Sequence, residues 1–321
     1  MSEILPAVGA ILAGFVILIW SADRFVTGAA ATAKNLGMSP MLIGLTIVSI
    51  GTSAPEMLVS GIASYTGAGG LAIGNILGSN IANIGLVLGA TALIAPLPVK
   101  TGLMRKELPL LLAVTVIAGL LLVDGELDRI DGTVLAIGLV IVLILFARFQ
   151  RYADPEEIAH EEEALPDLPQ SRALLWLMIG LVLLAASSRL LVWGATEIAT
   201  SLGVSDLIIG LTIVAIGTSL PELAASITSA IKGHHDIAIG NIVGSNIFNL
   251  LAVMAIPGLI QPITFDTEVL WRDYSTVLLF TLALLAFAYL MERGKINRFE
   301  GCLLLSGYSS YLGLLYYTAS A

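Results

Sequence analysis

Between Asn35 and Val99 the chain carries one charged residue, Glu56, and between Leu207 and Ile231 one more, Glu222. Stretches so poor in charge have no face to offer water. They belong in a large core or in lipid. Composition favours lipid: of 321 residues 57% are apolar and 12% charged, with mean hydropathy +0.95, against about a quarter charged in soluble domains. Apolar runs broken by glycine, proline or charge predict ten transmembrane helices in an all-α polytopic membrane protein. The first five are expected at 4–30, 38–63, 71–96, 107–124 and 131–149, the others at 172–200, 204–231, 237–258, 273–291 and 300–318. The apolar runs at 108–123 and 132–147 are short for a crossing of about 20 residues. Met1-Ser2-Glu3 offers no basic leader, so the run from Ile4 to Trp20 is read as a retained first span.

Loop charge sets the orientation. With the N-terminus outside, the inner loops hold Lys34, Lys100, Arg105, Lys106, Arg148, Arg151, Arg172, Lys232, Arg293, Lys295 and Arg298, and the outer loops only Arg129 and Arg272. Both termini are therefore expected on the extracytoplasmic side of the cell (inner) membrane, with the loop between spans five and six in the cytoplasm. The net charge of −9 owes much to seven acids between Asp154 and Asp167, in a stretch read as a solvated linker. The fifteen Lys and Arg are scattered, which argues against nucleic acid as a partner. Cys302 alone cannot form an internal disulfide.

The chain repeats itself at an offset of 166 residues. Residues 39–56 read SPMLIGLTIVSIGTSAPE and 205–222 read SDLIIGLTIVAIGTSLPE, identical at thirteen of 18 positions. AIGNILGSNIAN at 72–83 returns as AIGNIVGSNIFN at 238–249, and Gly28 pairs with Gly194. Five spans per half is an odd number, so the second half enters the membrane inverted. The expected organisation is a first repeat at 1–151, an acidic cytoplasmic linker at 152–170 and a second repeat at 171–321. Inverted repeats are common in secondary transporters, with the substrate site where the halves meet.

The charged residue in each repeat carries the chemistry. A carboxylate costs several kcal/mol in the bilayer centre, and two at equivalent places in inverted halves should converge, which calls for a cation. Pro55 and Pro221 precede Glu56 and Glu222. Lacking an N–H and clashing with the turn before, each opens its helix, and the carbonyls of about Ser49–Thr52 and Ala215–Thr218 are expected to lose donors. Carbonyls and carboxylates are the hard oxygen ligands that Na⁺ and Ca²⁺ take. Ser49, Ser53 and Glu56 share one helix face by spacing. Asn75, Ser79 and Asn83 share another, matched by Asn241, Ser245 and Asn249. Asp124, Asp128 and Asp131 are read as loop residues, as are His234 and His235. Asp23, Arg24, Arg189 and Glu197 are read as snorkelling near span ends.

GTSAPE with GNILGSNIAN, and GTSLPE with GNIVGSNIFN, resemble the two alpha repeats of the cation/calcium exchanger superfamily, and most nearly its prokaryotic calcium/sodium antiporter branch. The resemblance covers nearly the whole chain. It implies ten helices, alternating access by sliding of the first and sixth, and no enzymatic activity or cofactor. By motif position it implies calcium ligation by the side chains of Glu56 and Glu222 and the carbonyls of Thr52 and Thr218. It implies sodium ligation by these two acids, by Ser53, Ser79, Ser219 and Ser245, and by the carbonyls of Ser49 and Ala215, with Asn83 and Asn249 as polar members of the central site. Potassium-dependent relatives carry an acid where this chain has Asn249, so potassium independence is expected. Proton/calcium relatives place a Glu where this chain has Gly78 and Gly244, which favours sodium as the driving ion. Three Na⁺ against one Ca²⁺ makes the expected exchange electrogenic. A proton/calcium exchanger on the same acids is the alternative. An intramembrane hydrolase using Ser53 or Ser219 would lack a histidine within a span to act as base. No protein partner is implied.

Overall fold

The computed structural model describes residues 4–151, 165–203, 213, 215–290 and 294–320. Nearly all are helical. The first half contains α1 (Ile4–Leu36), α2 (Pro40–Thr52), α3 (Ala54–Tyr65) and α4 (Gly69–Ile94). It continues with α5 (Thr101–Arg105), α6 (Glu107–Leu121) and α7 (Arg129–Arg151). The second half contains α8 (Gln170–Ser201), α9 (Ala215–Thr218), α10 (Leu220–Ile231), α11 (His235–Ile260), α12 (Val269–Tyr289) and α13 (Arg298–Ser320). Residues 152–164 of the expected linker, and most of the expected span 204–231 before Ala215, lie outside the described residues.

Six of these helices are long and apolar enough to cross a membrane, and α2 with α3, bent by 43°, makes a seventh. The expected span at 107–124 is realised as α6 with only 15 residues. Spans begin and end where turn chemistry requires. Ser39 caps α2, its hydroxyl accepting from the Leu42 N–H at 3.2 Å, with Pro40 in the first turn. Gly37, Gly67, Gly203 and Gly233 follow helix ends at φ between 61° and 80°, a region open to glycine and costly for other residues. They are two pairs at the repeat offset.

α1, with 33 residues, is about 50 Å long, more than the roughly 30 Å hydrocarbon layer. It runs antiparallel to α8: Gly14 lies against Leu191, Gly28 against Ala173 and Leu177, Phe25 against Gly180, and Ala7 against Gly194. A Cβ on Gly28 would sit 2.4 Å from the Leu177 nitrogen, and one on Gly180 2.5 Å from the Phe25 nitrogen. Gly14 and Gly180, like Gly28 and Gly194, are repeat equivalents, so each copy's glycines admit the other's helix. This is the small-residue contact through which helices associate in lipid.

α4 and α11 are the most enclosed long helices, whereas α1 and α7 expose apolar faces. On α7 Leu135, Val142 and Phe146 point inward while Ile137, Val140, Ile141 and Ile144 are exposed. A helix apolar on both faces is at home against protein on one side and lipid on the other. Two short antiparallel pairs join loops of opposite halves: β1 (Leu97–Pro98) with β4 (Lys295–Ile296), and β2 (Glu126–Leu127) with β3 (Ile263–Thr264). The first pair joins loops expected on the inner side, the second loops expected on the outer side. Side-chain contacts also tie neighbouring elements together. Lys34 donates to the Leu165 carbonyl, Lys100 meets Asp236 at 3.0 Å, and Lys232 meets Asp23 at 2.7 Å.

Residues read as bystanders have structural roles. Asp128 caps α7, accepting from the Ile130 and Asp131 amides, while the Asp131 carboxylate accepts from the Asp128 amide. This reciprocal cap holds the Asp128 carboxyl below its ordinary range, the Asp131 amide being the main cause. Arg24 lies over the rings of Trp20 and Trp176, at 5.5 and 4.7 Å. His234 precedes α11, and burial pushes its imidazole below the usual histidine range.

Candidate functional site

Both prolines interrupt their helices in the same way. The break falls at Ser53 (φ −82°, ψ 2°) and at Ser219 (φ −88°, ψ 3°), after which α3 and α10 begin with Pro55 and Pro221 in the first turn. Glu56 and Glu222 follow directly, each at the positive end of a 12-residue helix, where a carboxylate is favoured. A π-helical segment, Gly44–Val48, precedes the first break and was not expected from sequence. One expectation is corrected here. The Ser49 carbonyl keeps its donor, accepting from the Ser53 N–H at 3.0 Å. The break sits late, at Ser53; Gly51, four residues before Pro55, loses its usual donor, and its carbonyl shares the Ser53 N–H with that of Ser49.

The two acids are fully buried and close enough for their charges to repel. Ser49, Thr52, Ser53, Ser219, Ser245 and Asn249 are also fully buried, and Ser79 and Asn83 nearly so. The halves interlock: Ser53 donates to Glu222 Oε1 at 3.2 Å, and Thr52 donates to Asn241 Oδ1 at 3.1 Å. Asn75 donates to Ser60 Oγ at 2.9 Å and to the Glu56 carbonyl at 3.3 Å. Asn241 donates to Ser226 Oγ at 2.9 Å and to the Glu222 carbonyl at 3.4 Å. α9 holds the backbone of Ala215 and Thr218, directly before the second break.

Around these bonds lie polar atoms with no protein partner among the described residues. They include both carboxylate oxygens of Glu56, Oε2 of Glu222, the hydroxyls of Ser219 and Ser245, and both amide atoms of Asn83 and Asn249. Two buried acids elsewhere are satisfied, while Glu107 keeps one carboxylate oxygen, Oε2, without a partner among the described residues. Asp273 takes the Arg272 guanidinium at 2.8 Å and the Tyr311 hydroxyl at 2.9 Å, and Glu300 takes the Asn297 amide at 2.6 Å. Leaving such groups unpaired costs about 1–3 kcal/mol each, more for charges. Their concentration at one place, with oxygen atoms in the majority, suits a cation as the missing partner. Among the described residues no group of three or more His, Cys, Asp or Glu is placed to hold a metal.

Sequence reasoning passed over Ser60 and Ser226, which hold Asn75 and Asn241, and Asn80 and Asn246, whose amides donate to the Ile76 and Ile242 carbonyls at 2.8 Å. All four recur at offset 166, and that recurrence was the available signal. Asn83 and Asn249 each open a π-helical segment, Asn83–Leu88 and Asn249–Val253, a widening frequent at functional sites.

Apolar helices around a buried polar cluster are the arrangement of a multi-pass membrane transporter. The family model described as "Sodium/calcium exchanger protein" matches residues 6–148 and again 172–317. A putative antiporter, CaxA, of Alkalimonas amylolytica is 48% identical over 95% of this chain and 97% of its own length. The sodium/calcium exchanger MaX1 of Methanosarcina acetivorans is 30% identical over 96% of this chain and 97% of its own. A solved structure of the sodium-calcium exchanger NCX_Mj, soaked with Na⁺ and Sr²⁺, superposes with a TM-score of 0.84 at 34% identity, covering 97% of this chain and 98% of that one. The chain belongs to the sodium/calcium exchanger family and is an antiporter of that kind.

Proposed function

We propose that this protein exchanges Na⁺ for Ca²⁺ by alternating access, as two inverted five-helix repeats, residues 1–151 and 171–321, joined by a cytoplasmic linker at 152–170. The observation that carries the reading is the pair of buried carboxylates, one per repeat, three of whose four oxygens have no donor among the described residues. Glu56 and Glu222, with the carbonyls of Thr52 and Thr218, would hold Ca²⁺. Na⁺ would take the same acids with Ser53, Ser79, Ser219, Ser245 and the carbonyl of Ala215. Asn83 and Asn249 complete the chamber with neutral groups. The names of MaX1 and NCX_Mj support this choice of ions.

The mechanism follows from competition for the same oxygens. Two carboxylates neutralise one Ca²⁺, whereas three Na⁺ leave one net positive charge on the chamber, so each cycle moves charge. A tenfold Na⁺ gradient supplies about 1.4 kcal/mol per ion and 100 mV about 2.3 kcal/mol per charge. Together these give roughly 6.5 kcal/mol, enough for a Ca²⁺ ratio above about 10⁴ in the direction of export. With termini outside, the inner membrane is the setting. Asn249, a neutral amide, supports potassium independence.

Reconstituted vesicles test the reading. An outward Na⁺ gradient is expected to drive Ca²⁺ uptake without K⁺, and a proton gradient alone to drive none. Uptake driven by pH and indifferent to Na⁺ would replace this reading with proton/calcium exchange.

A further inference from the structure

Each span-breaking proline strips a donor from the carbonyl four residues earlier, Gly51 before Pro55 and Gly217 before Pro221. The second copy replaces what it loses. Ser188 on α8, 4% exposed, donates its hydroxyl to the Gly217 carbonyl at 2.5 Å. The first copy cannot do so, because offset 166 puts Ala22 in that place on α1, buried and without a polar side-chain atom. The preceding position serves as an internal control. Ser21 and Ser187 are equivalent and make the same bond, each hydroxyl donating to the carbonyl three residues back, Leu18 or Leu184, at 3.0 Å. The halves agree at one residue and part at the next.

Gly217 adjoins Thr218 and Ser219 and lies five residues before Glu222. Ser188 stands on α8, the partner of α1 in the antiparallel pair. We infer that Ser188 is a positioning residue that ties α8 to the broken backbone under the second-repeat half of the ion site, making ion affinity depend on where α8 sits. The inference rests on the exchange reading above. Movement of α8 along the bundle must give up this bond and leave a buried carbonyl without a donor, so the site is held in shape only while α8 keeps its place. The first-repeat half carries no such tie to α1, and the two halves of the site differ in stiffness despite near-identical motifs.

The test uses the full chain in vesicles and, in parallel, Ca²⁺ half-saturation read from the thermal shift of the detergent-solubilised protein. Ser188→Ala is expected to raise the half-saturating Ca²⁺ concentration about three- to tenfold, the worth of one neutral hydrogen bond. The saturated rate per folded molecule should stay at or above wild type. Ser188→Thr, which keeps the hydroxyl, is expected to restore the wild-type concentration. A packing role alone would lower Tm and yield and leave half-saturation unmoved. Unchanged half-saturation in Ser188→Ala, or a loss confined to the saturated rate, overturns the inference. Wild-type vesicles report separately on exchange, and the thermal shift reads binding whether or not flux is coupled to Na⁺.

Discussion

At the scale of residues, the proposed site rests on polar groups that outnumber their protein partners. Asn241 is one of the satisfied ones: it joins Ser226, the Glu222 carbonyl and, across the repeat boundary, Thr52. Asn241→Ala is expected to cost roughly 1–3 kcal/mol, read as a lowered Tm in detergent, because buried partners are left unpaired. Asn75→Ala should cost less, since Asn75 is only half-buried and water can replace it. The burial of Glu56 and Glu222 was legible in the sequence because each is a lone charge in a long apolar run. The Ser49 carbonyl was misread because which bond a proline breaks depends on where the helix bends. Ser188 was not legible, since its partner is 29 residues away and lies on another element.

At the scale of elements, the fit of α1 against α8 depends on glycines that let backbone meet backbone. Gly28→Val places side-chain carbons against the Leu177 nitrogen and the Ala173 carbonyl of the other helix, neither of which can turn aside. It is expected to cost about 1–3 kcal/mol or more by overpacking, measured as loss of thermal stability and exchange together. Gly9→Ala, on the same helix with nothing within 4 Å of its Cβ, should be neutral or stabilising by up to about 1 kcal/mol. Helix positions were readable from apolar runs, and most ends fall within a few residues of expectation. α1 runs six residues past its expected end, to Leu36, because the helix ends at Gly37 and not at the edge of hydrophobicity. The π-helical segments left no mark in the hydropathy pattern, because a one-residue widening does not alter which residues are apolar.

At the scale of the whole molecule, the sequence offset of 166 pairs equivalent structures. The glycines of α1 and α8, the asparagine–serine pairs and the partnerless amides all obey it. Exchange of three Na⁺ for one Ca²⁺ by two carboxylates is expected to be electrogenic. An inside-negative potential of 100 mV, clamped with valinomycin, should oppose Ca²⁺ uptake into Na⁺-loaded vesicles when each cycle carries net positive charge outward, and an inside-positive potential should speed it. Equal rates at both potentials would indicate electroneutral exchange. The account turns on the two acids acting as one site. Direct Ca²⁺ binding to the purified chain tests this most plainly, with Glu56→Gln and Glu222→Gln measured beside it. The expected result is one Ca²⁺ per chain, displaced by Na⁺ and lost in either variant while both remain folded; wild-type Ca²⁺ affinity in either variant would contradict it.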